Sequence, residues 1–85
     1  MLTQEQKNSI LFAPSFQVNL KTASGTVSVL GQAGKGFVEV ALMKGDGHID
    51  HEPPFPHDGF GIATFFREEI DKIEALLNQL ERIDQ

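Results

Sequence analysis

Between Phe16 and Met43 the apolar residues recur at every second position, and two glycine-bearing breaks divide that run into three segments. Phe16, Val18 and Leu20 alternate with Gln17, Asn19 and Lys21. Val27 and Val29 alternate with Thr26 and Ser28, and the segment runs out near Gly31. Val38, Val40 and Leu42 share one face, with Phe37, Glu39, Ala41 and Met43 on the other. Successive side chains of a strand point to opposite faces, so a period of two reads as a half-buried strand. The breaks at Ser24-Gly25 and Gly34-Lys35-Gly36 are short, which predicts an antiparallel meander. Gly31-Gln32-Ala33-Gly34-Lys35-Gly36 resembles a phosphate-binding loop only in its glycines. It lacks the spacing, the trailing hydroxyl residue and the following helix, and reads as a hairpin turn.

A second period appears towards the carboxyl end. Phe66, Ile70, Ile73, Leu77 and Leu80 are spaced by four, three, four and three, and Leu76 and Ile83 widen the stripe. Arg67, Glu68, Asp71, Lys72, Glu74, Gln79 and Arg82 fill the opposite side. This predicts an amphipathic helix beginning at Thr64 or Phe65, with Glu68 and Glu69 in its first turn, Arg82 in its last, and a surface pair of Glu68 with Lys72. Just before it, Phe60-Gly61-Ile62-Ala63 predicts a fourth strand beside the third. At the amino end, Thr3 and Gln6 fit a capping box, which favours one or two helical turns within residues 3 to 12, although Ile10-Leu11-Phe12 would also suit a strand. Pro14 ends either one. The expected fold is a single α+β domain over residues 1–85: an antiparallel four-stranded meander sheet covered by a C-terminal amphipathic helix, with a short N-terminal helix.

Composition narrows the function. The chain has 85 residues, no cysteine, and a formal charge of −5. Disulfides and thiolate metal sites are excluded. An acidic surface repels phosphate backbones, and the seven cations are dispersed, which argues against nucleic acid. No apolar run approaches membrane-spanning length, the first residues are polar and unlike a signal peptide, and the expected location is cytoplasmic. So short a chain buries a modest core, and one helix cannot cover both faces of a sheet. The short first helix or a second subunit must cover Phe37, Ala41 and Met43. A homo-oligomer, dimer or higher, is therefore expected, with Phe37, Ala41, Met43, Leu76 and Ile83 as its interface.

The connection Lys44 to Asp58 holds all three histidines, three of the four prolines and several carboxylates. Loops this long without secondary structure are usually functional or disordered. His48, Asp50, His51, Glu52, Phe55 and His57 are the candidate contacts for a protein partner or small ligand. His48, His51 and His57 are also candidate ligands for a divalent metal, although their spacing matches no standard motif and the prolines exclude a helix. The plainer reading is a stiff polar surface loop. Pro53-Pro54-Phe55-Pro56 is too short to specify a polyproline ligand, and Phe55 is expected to tuck against the body in preference to being displayed. No serine has an elbow motif around it, and no catalytic residue is assigned. Acid–base work by His51 or His57 beside a carboxylate is the remaining enzymatic option.

Gly61-Ile62-Ala63-Thr64 leading into Arg67-Glu68-Glu69-Ile70 resembles the strand-to-helix junction of the PC4-like coactivator fold. That resemblance covers about a quarter of the chain. It implies four strands followed by a long helix, pairing as a dimer, and single-stranded DNA as the ligand. That family's DNA face is basic and aromatic, whereas the polar strand positions here are Gln17, Asn19, Lys21, Thr26, Ser28 and Glu39, with one cation among them. The resemblance extends to architecture and carries no site residue across. The expected function is a non-enzymatic, self-associating binding domain that recognises a protein or small ligand near residues 44–58.

Overall fold

The computed structural model describes residues 2–80. Helix α1 (Gln4–Phe12) leads into strands β1 (Phe16–Thr22), β2 (Gly25–Gly31), β3 (Phe37–Met43) and β4 (Ala63–Phe66). A 3-10 turn (Arg67–Glu69) then opens into helix α2 (Ile70–Gln79). The strands form one antiparallel sheet in the order β1-β2-β3-β4, which is the expected meander. At the amino end the capping box is formed: the Thr3 hydroxyl accepts the Gln6 N–H at 3.1 Å, and the Gln6 side chain accepts the Thr3 N–H at 2.9 Å.

The register places Leu20, Val27, Val29, Val38, Val40 and Leu42 on one face, and each of them is fully buried. Ile73 and Leu77 of α2 and Ile10 of α1 meet them in a single core, with Leu2, Phe55, Ala63, Leu76 and Leu80 around the margin. Burying one such side chain is worth about 1.5–3 kcal/mol, so this face is what holds the fold together. Gly31 belongs to the same face because Phe16 lies across it, and a side chain there would run into the ring.

Arg67 ties the two helices to the sheet. Its guanidinium donates to the carbonyls of Ile10, Ala13 and Pro14, at 3.4 Å and 3.2 Å for the first and last, and stacks over the Phe16 ring. Those acceptors lie in the last turn of α1 and just beyond it, where helix carbonyls have no intrahelical partner. At the other end of α1, Glu74 of α2 accepts the Leu2 N–H at 2.9 Å and approaches Lys7 at 3.8 Å.

Three expectations are corrected. The fourth strand lies at 63–66, three residues later than 60–63, and Phe60-Gly61-Ile62 forms the turn that precedes it. Phe66 therefore belongs to the strand and is 59% exposed on the far face, outside the helix stripe. Lys72 pairs with Glu69 at 2.7 Å, so the expected pairing with Glu68 is not the one formed. Of the two covers left open for the far face of the sheet, α1 is not one: it packs on the same side as α2, and among the described residues no helix lies on that face. Leu76 is buried in the chain's own core, while Arg82 and Ile83 lie outside the described residues.

Candidate functional site

The long connection is built from small closed turns. Lys44 N–H donates to the His48 carbonyl at 2.9 Å, Ile49 bridges to Met43, and Asp50 N–H donates to the Leu42 carbonyl at 2.7 Å. Pro53 and Phe55 are buried, and Phe55 joins the core as the tucking reading expected. Asp58 closes the far end. Its carboxylate accepts the N–H groups of Phe60 at 2.7 Å and Ile62 at 3.0 Å, and its own N–H donates to the Ile62 carbonyl at 2.9 Å. Gly61 has φ +88 and lies against the backbone of Asp50 and His51, so the two ends of the loop touch there.

These turns also decide the fate of the histidines. His48 Nδ1 lies 3.1 Å from the Asp46 carboxylate, His51 Nδ1–H donates to the Phe60 carbonyl at 3.0 Å, and His57 Nδ1–H donates to the Asp58 carbonyl. His48 and His57 are engaged within their own turns, and His51 reaches across to the turn that precedes β4. Among the described residues no three His, Asp or Glu side chains converge to hold a metal ion. The three candidate ligands His48, His51 and His57 are thus not brought together among the described residues.

Asp46, Asp50 and Asp58 of the loop are held below the usual carboxylate range, chiefly by backbone donors. For Asp46 the cause is the N–H of His48, then its imidazole. For Asp50 it is the N–H of Glu52, then Lys44. For Asp58 it is the N–H groups of Ile62 and Phe60. Glu69 is lowered by the Lys72 ammonium and by the Phe66 N–H, which it accepts at 2.9 Å. A hydrogen bond to the charged form favours that form, so these groups stay ionised, the three aspartates holding the loop and Glu69 the turn before α2.

Beside the second half of the loop lies a cleft of about 630 Å³, bounded by residues 55–58, β4 and α2. Phe55, Ile62, Ala63, Phe65, Ala75 and Leu76 give it an apolar lining, and His57, Asp58, Thr64, Lys72 and Gln79 add polar groups. Its size lies within the range of small-molecule sites, and a largely apolar lining with a few polar groups is the usual composition of one. Of the residues anticipated for ligand contact, Phe55 and His57 line this cleft, while His48, Asp50, His51 and Glu52 lie elsewhere. Sequence reasoning missed Lys72, Ala75 and Gln79. Their spacing with Leu76 put them on one side of α2, and the small Ala75 between two longer residues was the signal that this side was indented.

A second, smaller hollow of about 270 Å³ lies on the far face of the sheet. The short side chains of Ser28 and Ala41, opposite each other in the ladder, form its floor, and Leu30, Met43, Ile49 and Ile62 stand around it. Phe37 and Phe66 are cross-strand partners on the same face. Phe37, Ala41 and Met43, anticipated as interface residues, thus share this face.

Comparison with protein-family models, with curated proteins and with solved structures finds no match for the chain. The junction that carried the PC4-like resemblance is built differently from that reading, since Gly61 and Ile62 precede the strand and Thr64 lies inside it. Among the described residues no helix is long and apolar enough to cross a membrane.

Proposed function

We propose that this chain is a non-enzymatic binding domain and that the cleft between residues 55–58, β4 and α2 is its binding site. One observation carries the reading: a cleft of about 630 Å³ with an apolar lining, into which the loop contributes Phe55 and His57 and the helix Lys72 and Gln79. The occupant is a small molecule or partner segment with an apolar body. A naphthalene sulfonate dye titrated into ¹⁵N-labelled protein tests it. Saturable shifts at residues 55–58, 62–65 and 72–79 are expected. Ala75→Trp, at an exposed position on the cleft wall, fills the space and abolishes those shifts without lowering the melting temperature. Absence of saturable binding, or shifts confined to the bare face of the sheet, overturns the reading.

Self-association is a second element of the proposal. It is supported by the placement of both helices on one face, which leaves Phe66 exposed and Phe37 and Met43 half-buried on the other. Sedimentation at micromolar concentration is expected to show a dimer or larger species that Ala41→Lys returns to a monomer. A monomeric wild-type protein refutes it. A cytoplasmic setting belongs to the same proposal, since small domains of oxidising compartments lean on disulfides and this chain has no cysteine.

A further inference from the structure

The cleft runs along the open edge of β4, and the hydrogen bonds show which backbone groups face into it. Arg67 N–H donates to the Gly36 carbonyl at 3.2 Å, which makes Arg67 and Gly36 a hydrogen-bonded pair of the ladder. Such pairs alternate in an antiparallel sheet, so Phe65 with Val38 and Ala63 with Val40 are the next ones. The bond from Asp50 N–H to the Leu42 carbonyl fits the same alternation on β3. Ile62, Thr64 and Phe66 therefore direct their N–H and C=O groups away from β3.

Two of these three positions are stoppered by acidic residues. Asp58 closes Ile62 completely, accepting its N–H at 3.0 Å through the carboxylate and donating its own N–H to its carbonyl at 2.9 Å. The Glu69 carboxylate takes the Phe66 N–H at 2.9 Å. Between them, Thr64 has neither an N–H nor a C=O partner among the described residues, and it lines the cleft. An unpaired donor and acceptor on a strand edge is a template for another extended backbone. When an apolar groove lies alongside, strand addition supplies the affinity and the groove supplies the specificity.

Taking the cleft as the binding site, we infer that its occupant is an extended peptide segment of a partner protein. The segment pairs with Thr64 at the edge of β4, places apolar side chains in the cleft, and carries basic residues on its flanks. The alternation of a strand dictates this pattern. The peptide residue opposite Thr64 projects to the bare side of the sheet with it, and the residues immediately before and after turn towards Ala75 and Leu76. Two positions out on either side, the strand meets Asp58 and Glu69. Lys72 holds the second Glu69 oxygen at 2.7 Å, so the Asp58 end is the more negative, and the whole chain carries −5. Cationic flanks complement that charge. The stoppered neighbours also limit the docking to a short stretch, which suits recognition of a segment and discourages open-ended sheet growth.

The probe is acetyl-Lys-Val-Thr-Val-Lys-amide, titrated into the full ¹⁵N-labelled chain. Binding is expected to move the Thr64 amide most and to slow its hydrogen exchange. N-methylation of the peptide's threonine removes the N–H that meets the Thr64 carbonyl and is expected to weaken binding about tenfold, as the loss of one well-made hydrogen bond does. Exchanging both lysines for glutamate is expected to weaken it by a similar factor at low salt. Equal affinity for the parent and N-methyl peptides, or shifts that bypass Thr64, overturns the inference. If the dye binds the cleft and Ala75→Trp blocks it while N-methylation is without effect, the cleft reading stands and strand addition falls. If neither dye nor peptide binds, both fall.

Discussion

Gly47 and Gly61 have nearly the same backbone angle, φ +86 and +88, and opposite surroundings. A Cβ on Gly47 would meet nothing within 4 Å, whereas one on Gly61 would collide with the Asp50 carbonyl oxygen and lie 2.8 Å from His51 Cα. Alanine substitution at the two sites therefore separates backbone strain from close approach. A left-handed conformation costs a non-glycine residue about 1–2 kcal/mol, and the stiffer unfolded chain returns about 0.4–1 kcal/mol. Gly47→Ala should thus cost about 1 kcal/mol, a fall of about 4–8 °C in melting temperature for a domain of this size. Gly61→Ala carries the same strain plus displacement of packed backbone, about 1–3 kcal/mol more, so its fall should be two to four times larger. Asparagine refines the comparison, because it tolerates the left-handed region: Gly47→Asn should recover most of the loss, and Gly61→Asn should not. Thermal melts followed by far-ultraviolet circular dichroism read these differences, which suits a chain with no Trp or Tyr. Equal losses for the two alanine variants would refute the packing of Gly61 on residues 50–51, and with it the account of how the loop is anchored next to the cleft.

Other outcomes follow from the same contacts. Arg67→Met keeps an apolar stem over Phe16 but removes the donor to the Ile10, Ala13 and Pro14 carbonyls. Its partial exposure reduces the usual value of charged hydrogen bonds, and a loss of about 1–2 kcal/mol is expected, with faster amide exchange across the last turn of α1; unchanged exchange there would contradict the capping role. Asp46, Asp50, Asp58 and Glu69 all have lowered folded pKa values. Their contribution to stability is complete above the ordinary carboxylate range and is lost as pH falls through the lowered values. Asp58→Asn retains an acceptor oxygen but not the charge, so its stability should decline less steeply in acid than the wild type, and parallel acid profiles would count against the assignment. Equimolar zinc should leave the melting temperature unchanged, because the imidazoles of His48, His51 and His57 do not converge with other ligands among the described residues; a rise of several degrees would show that they can.

The sheet was legible because its periodicity is redundant: three strands repeat one alternation, and two glycine-bearing turns set the connections. The carboxyl-terminal boundary was not, because Phe66 satisfies two patterns at once. It stands four residues before Ile70, which suits a helix, and two after Thr64, which suits a strand face. The structure resolves the tie through Glu69, whose carboxylate reaches back to the Phe66 N–H and caps the 3-10 turn at Arg67 that leads into the helix at Ile70. An acidic residue three positions beyond an aromatic strand end is a recognisable stop signal, but only once the strand has been granted. The site was harder still. His48, Asp50, His51 and Glu52 are chemically conspicuous, yet the contacts of His48, Asp50 and His51 hold the loop's own turns together. The cleft is made instead by inconspicuous residues: Ala75, whose small side chain leaves room; Phe55, which supports the loop from within; and Thr64, whose backbone, not its hydroxyl, is the feature of interest. Ladder parity is invisible to a reading of side chains. It appears only when the partners of Arg67 and Asp50 are known, and it then singles out one residue on the edge of β4 whose amide and carbonyl are open among the described residues, while Asp58 covers both groups of Ile62 on one side and Glu69 the Phe66 amide on the other.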